Sequence, residues 1–159
     1  MTVRLAEMRD FDTILKIYDR ARRFMAETGN PTQWGSHYPD PELLKEDMEG
    51  EHLFVITDGD RVRGVFSFLV GPDPTYSIIE DGAWHSDAKY GTIHRIASDG
   101  AGGVFSACLE FCLGKCAYLR IDTHENNKVM QHVVTKNGFC RCGIIYTDNG
   151  SPRIAFDRI

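Results

Sequence analysis

A chain of 159 residues is long enough to bury one core without metal or disulfide support, and 42% hydrophobic with 26% charged residues is the balance of an ordinary globular fold. A formal net charge of -5 with no Lys/Arg run argues against a nucleic-acid partner and is compatible with a cationic substrate. The opening M-T-V-R-L-A-E-M-R-D is charged and alternating rather than signal-like, and no apolar run reaches transmembrane length, so a cytoplasmic protein with no membrane partner is expected.

In chain order, Val3 to Ala6 reads as a first strand and Asp10 as the N-cap of a helix. Phe11, Ile14, Leu15, Ile17, Tyr18, Ala21 and Phe24 then follow helical spacing to about Ala26. Thr28-Gly29-Asn30-Pro31 ends that helix, and the loop to Asp40 carries Trp34, His37 and Tyr38. Trp34 and Tyr38 either cover the core between two helices or wall a substrate pocket. Pro41, with Glu42 in the first turn, opens a second helix to about Met48.

Leu53 to Thr57 and Arg63 to Val70 form an antiparallel hairpin about Asp58-Gly59-Asp60. After the Gly71-Pro72-Asp73-Pro74 break, Tyr76 to Glu80 reads as a further strand and Asp81 to Lys89 as loop. Thr92 to Ala97 is a strand, followed by a loop holding Gly100, Gly102 and Gly103 and then a helix through Cys116. A strand that turns through glycines into a helix start gathers unpaired N–H groups at the positive end of the helix dipole, which makes an anion site. Ala117 to Asp122 is a strand, and a helix from about Asn127 to Asn137 stops at Gly138. Phe139 to Thr147 and Pro152 to Asp157 are strands joined by an Asp148-Asn149-Gly150 turn, and their edges are available to a homodimer.

Cys108, Cys112 and Cys116 share one helical stripe and read as packing, while strand alternation places Cys140 and Cys142 on one face. No C-x-x-C pair is present, so no metal site is expected. Antiparallel strands in the first half and helical crossovers in the second predict one domain of mixed α/β (α+β) class, not a doubly wound parallel sheet.

This element order, the glycine loop and the segment E-N-N-K-V-M-Q-H-V-V-T-K-N-G-F resemble the GNAT superfamily of acetyl-CoA-dependent N-acetyltransferases over essentially the whole chain. The family's loop pattern R/Q-x-x-G-x-G/A falls on Gly100-Ala101-Gly102-Gly103-Val104-Phe105; Gly103 matches, whereas Gly100 and Phe105 depart from it. The resemblance implies a mostly antiparallel sheet flanked by helices, with two central strands splayed apart. It implies that backbone amides of Gly100 to Phe105 hold the coenzyme A pyrophosphate, with Phe105 turned away, and that the backbone of Arg95, Ile96 and Ala97 holds the cofactor arm. A nearby N–H would polarise the thioester carbonyl. Asn127 would bond that arm, or serve as a simple N-cap.

The family's usual acid, a Tyr four residues before the Gly-Phe pair, is Val134 here. Candidates for the general base are His94, His124 beside Asp122, and Glu80. The expected activity is acetyl transfer from acetyl-CoA to a primary amine of a small molecule or peptide, by direct attack. A non-catalytic coenzyme A-binding module and a structural partner whose loop binds nothing are the alternatives.

Overall fold

In the computed structural model, which describes residues 1–159, seven strands form a single sheet: β1 (Thr2–Leu5), β2 (Leu53–Asp58), β3 (Arg61–Val70), β4 (Gly91–Ser98), β5 (Leu119–Thr123), β6 (Cys140–Tyr146) and β7 (Pro152–Arg158). Their spatial order is β1-β2-β3-β4-β5-β7-β6, and every neighbouring pair is antiparallel except β4 with β5. Four helices complete the fold: α1 (Phe11–Glu27), α2 (Pro41–Glu49), α3 (Val104–Lys115) and α4 (Lys128–Lys136).

The helices divide between the two faces of the sheet. Val104, Cys108, Leu109 and Cys112 of α3 and Val134 of α4 pack on Phe66, Phe68, Ile93, Ile121 and Phe156. On the other face Ile14, Ile17 and Tyr18 of α1 and Leu44 of α2 cover Val55, Val65 and Ala97. A third cluster on that second face joins Tyr76, Cys142, Ile145 and Ala155 beneath the connection between β3 and β4. Alternation along β7 makes the division explicit, since Phe156 belongs to the first cluster and Ala155 to the third.

Most predicted elements appear within a residue or two of their expected limits, and three differences have physical causes. Tyr76 to Glu80 is no strand: Pro74–Tyr76 is a 3-10 turn closed by Asp73, and only Glu80 pairs, in one bridge to Ile144. Asp10 occupies the cap position of α1 without capping it. Its carboxylate takes Nη1 and Nη2 of Arg4 at 2.8 and 2.9 Å, and Glu7 N–H at 2.8 Å. Cys140 and Cys142 share a face as expected, Cys140 standing opposite Asp157 and Cys142 packing with Ala155, although Cys140 is exposed and Cys142 buried. Cys116 lies just past the end of α3, in extended backbone, and packs only half-buried at the margin of the cluster that holds Cys108 and Cys112.

The long connection between β3 and β4 is tied down by polar contacts. Asp157, 2% exposed, accepts the Tyr118 hydroxyl at 2.7 Å and His85 N–H at 2.8 Å and meets His85 Nδ1 at 2.7 Å. The Arg120 guanidinium lies 4.0 Å from the Trp84 ring centre and 3.9 Å from that of Tyr90. Glu80 and Ala83 bond the outer edge of β6, so part of the edge open to a homodimer is already covered.

Candidate active site

β4 and β5 pair only at Gly91–Leu119 and Thr92–Arg120 and then part. Beyond those residues β4 stays on β3 and β5 stays on β7, so the two strands face each other across a wedge with bare inner edges. The parting coincides with a bulge in β4: Ala97 opposes Val65 while His94 opposes Ser67, three steps on one strand against two on the other. Arg95 sits in the bulge at φ +54°, and its carbonyl is held by the hydroxyl of Tyr18 at 2.8 Å. A left-handed non-glycine residue costs about 1–3 kcal/mol and persists where the surroundings over-determine it. Here Tyr18, fully buried in α1, supplies that constraint.

The extra residue also turns two consecutive side chains onto the α1/α2 face. His94 Nε2 meets Asp73 Oδ2 at 2.7 Å, and Arg95 Nη2 meets Asp47 Oδ2 of α2 at 2.5 Å. A cavity of about 670 Å³ passes through the wedge. Towards α3 and α4 its wall is made by Ile93, Ile96, Ile121, Met130 and Asn127; towards α1 and α2 it is made by His94, Arg95, Asp122, Arg153, Trp34 and Tyr38. A more open groove of about 960 Å³ lies between α1 and the β2–β3 turn; it is lined almost wholly by charged side chains, of which Arg4 pairs with Asp10 and Arg61 with Asp99.

The charged groups in the wedge are set by neighbours from distant parts of the chain. Burial raises the Asp73 carboxyl, but the bonds from His94 and Thr75 outweigh it and bring the pKa down to about 2, so Asp73 is an anion. Burial and the adjacent Asp122 push the Tyr76 hydroxyl well up, keeping it a donor to Asp122 Oδ2 at 2.6 Å. Burial lowers Arg153, with Asp122 acting in opposition. Gln33 reaches across the mouth, its Oε1 accepting Nδ2 of Asn127 at 3.0 Å and its carbonyl accepting Nη2 of Arg153 at 3.2 Å.

At the other end of β4 the glycine loop is partly closed on itself. Gly100 N–H donates to Ser98 Oγ at 3.2 Å and Ala101 N–H to Asp99 Oδ1 at 3.0 Å, so these two amides are already used. The amides of residues 102 to 106 have no protein acceptor, and the N-cap of α3 is Gly103, φ +85°, which offers no side-chain cap. Five unclaimed N–H groups at the start of a twelve-residue helix form a ready anion cradle. Phe105 turns inward, its ring 6.4 Å from that of Phe139. A side chain from outside the loop approaches it as well: a Cβ at Gly100 would meet Arg20 Nη2 at 2.5 Å. Within the wedge, the buried Thr123 Oγ1 is left without a partner. Unclaimed amides and bare strand edges along one channel fit a long phosphorylated group with a polar arm.

The sequence-expected residues distribute unevenly over this site. Trp34 and Tyr38 line the cavity, their rings 6.3 Å apart, and Trp34 also packs edge-on against Tyr18 at 5.7 Å. His94, Arg95, Ile96 and Asn127 line it too. Asn127 caps α4 through Met130 N–H at 3.0 Å while its amide holds Gln33. Ala97 faces α1 instead, packed in the second core cluster. Glu80 lies exposed outside the cavity, accepting the Tyr146 hydroxyl at 3.0 Å, because its strand does not form. His124 also falls outside the lining; its Nδ1 accepts Asn126 N–H at 3.0 Å, and burial followed by the charge of Arg153 lowers its pKa. Sequence reasoning missed Asp73, Asp47, Gln33 and Arg153. Asp73 lies in a segment that reads only as a chain break, and nothing local marks the other three.

The sheet is thus opened between two parallel central strands, with unclaimed amides at the end of one. Three solved structures share the overall fold. An acetyltransferase of the GNAT family from Streptococcus agalactiae is 28% identical, with a TM-score of 0.90 over 99% of this chain and 94% of its own. A GNAT-family acetyltransferase from Listeria monocytogenes is 19% identical, with a TM-score of 0.69 over 98% and 92%. The NatC complex bound to Gag peptide and CoA is 14% identical, with a TM-score of 0.61 over 99% and 98%. No family model matches the chain. No curated protein matches it by sequence. The chain has the GNAT N-acetyltransferase fold, and acyltransferase is the enzyme class which that fold supports. No helix is long and apolar enough to cross a membrane.

Proposed function

We infer that the protein transfers an acetyl group from acetyl-CoA to a primary amine of a small molecule or peptide, by direct attack in a ternary complex. The observation carrying this reading is the open wedge between β4 and β5 with unclaimed amides 102 to 106 at its phosphate end. When bound, acetyl-CoA supplies an activated thioester. Amides 102 to 106 and the α3 dipole hold the pyrophosphate. The bare edges of β4 and β5 take the polar arm.

His94 is the group assigned to the proton of the acceptor ammonium. With Nε2–H donated to Asp73, Nδ1 keeps its lone pair and faces no other protein partner. Asp73, an anion, orients the ring and steadies the cation formed on protonation. Amides of the Arg95–Ile96 bulge are assigned to the developing oxyanion, where fixed donors act without reorganisation. No side chain is assigned as acid, since Val134 is sealed in the core. A cytoplasmic location suits five cysteines that are all free thiols.

The test is thermal unfolding with and without CoA, followed by acetyl-CoA turnover against a panel of amines with detection of the released thiol. CoA should raise the melting temperature and at least one amine should release thiol. No shift with CoA refutes the reading. A shift with no thiol release for any amine supports a non-catalytic coenzyme A-binding module instead.

A further inference from the structure

The wedge holds a buried cation that the acetyl-transfer reading leaves unused. Arg153, 8% exposed, projects from β7 onto the face that carries His94 and Asp122. Its Nη1 bonds Ser151 Oγ and, at 3.0 Å, Pro152 O; its Nη2 bonds Gln33 O at 3.2 Å. A guanidinium carries five N–H donors, so Nε–H and one Nη2–H remain without a protein acceptor. No carboxylate forms an ion pair with it, although Asp122 is near enough to act on it electrostatically.

The other two arginines on this face are already neutralised or caged. Arg95 pairs with Asp47 and touches the Tyr38 hydroxyl, and its Nε is sealed from the cavity. Arg120 lies between Trp84 and Tyr90 and donates to Ser86 O and the Tyr118 hydroxyl. Burying a guanidinium without a counter-charge is costly, and Arg is the side chain whose rigid fork matches a carboxylate. Asp122 on the adjoining strand and the Asp73–His94 pair present negative charge on the same cavity face. An anion-binding fork on the same cavity face as an ammonium-binding carboxylate is the complement of a zwitterion.

We propose that the acceptor is an amino acid-like small molecule, a primary amine bearing a carboxylate, and that Arg153 binds the carboxylate while the amine faces His94. This rests on the acetyl-transfer reading and narrows it, because in a peptide the α-carboxyl of the first residue is tied up as an amide. The bound carboxylate fills the two open N–H donors and pairs the buried cation, so an acceptor lacking it leaves both groups unsatisfied.

The experiment compares α-amino and ω-amino acids, each beside its amide and its decarboxylated amine. It reads kcat/KM by thiol release and, independently, the melting temperature of the CoA-saturated protein. The favoured acid should exceed its amide by about 100-fold in kcat/KM, as expected for a charge-assisted fork. In Arg153→Gln the acid-to-amide ratio should fall to near unity. In Arg153→Lys, which keeps the charge without the fork, it should be intermediate. Because the readout is a ratio, a general loss of stability does not mimic it, and the Lys variant decides if the Gln variant fails to fold.

If amides and acids react equally in the wild type, or the preference survives in both variants, the proposal is overturned while acetyl transfer stands. If no thiol is released but acids alone stabilise the protein through Arg153, acetyl transfer fails and the binding assignment stands. If no acid either reacts or stabilises, the proposal is overturned.

Discussion

Asp73→Asn isolates the contact that holds His94. The carboxyl of Asp73 titrates at about 2 in the folded protein against an ordinary 3.8, the bonds from His94 and Thr75 outweighing burial. At 1.36 kcal/mol per unit, that gap corresponds to about 2 kcal/mol of stability at neutral pH. Both side chains are mostly covered, 18% exposed for Asp73 and 25% for His94, so solvent screening removes little of it. The folded pKa is depressed, so this contribution is fully present above the unfolded value. It is lost as pH falls through about 4 towards about 2, with roughly half remaining near pH 3. Asn keeps an oxygen for the Thr75 bonds at 2.9 and 2.7 Å but cannot ionise. Urea unfolding of both proteins from about pH 7 to about pH 3 should show a deficit of about 2 kcal/mol that narrows with acidification. In melting temperature, the neutral-pH deficit is about 4–8 °C for a domain of this size. A deficit of constant size across that range would refute the argument, because it would then arise from packing rather than ionisation.

His94→Gln should lower kcat by about 10²- to 10⁴-fold, the usual worth of a positioned base, while leaving CoA affinity within a few-fold of wild type by calorimetry. Gly103→Ala places a side chain at φ +85° with only Met1 near it, so strain rather than collision applies. It should cost about 1 kcal/mol of stability and weaken CoA binding several-fold. Gly82→Ala would set a Cβ 1.8 Å from the carbonyl oxygen of Cys142, at φ +152°. Since the clash is with backbone, more than about 3 kcal/mol should be lost, read as a large drop in urea midpoint. Thiol labelling of the native protein should modify the exposed Cys140 well before the buried Cys108 and Cys112, which become reactive only with global unfolding.

Features with a local cause were legible in the sequence. The period of α1, the Pro41 start of α2, the Gly138 stop of α4 at φ +89° and the turn at Asp148–Gly150 each depend on side chains and dihedrals within a few residues. The turn from β4 through the glycine loop into the start of α3 belongs here too, because glycines at positive φ before a helix start are local features. Local signals also misled. Asp10 has the residue type of a cap, but Arg4 competes for its carboxylate, and Tyr76 to Glu80 has strand-forming residues with only Ile144 to pair with.

The chemistry of the cavity lay beyond such signals. His94 and Arg95 share a face only because a bulge breaks the alternation of β4, and that bulge is held by Tyr18, 77 residues away. Asp73, Asp47 and Arg153 arrive from a loop, a helix and the last strand, with Gln33 and Arg153 meeting across 120 positions. From local residues alone, a glycine loop opening a helix at Val104 could be read. The charges that line the wedge could not, because burial and ion pairing are properties of neighbours in space, and one inserted residue in β4 sets the side that each following side chain faces.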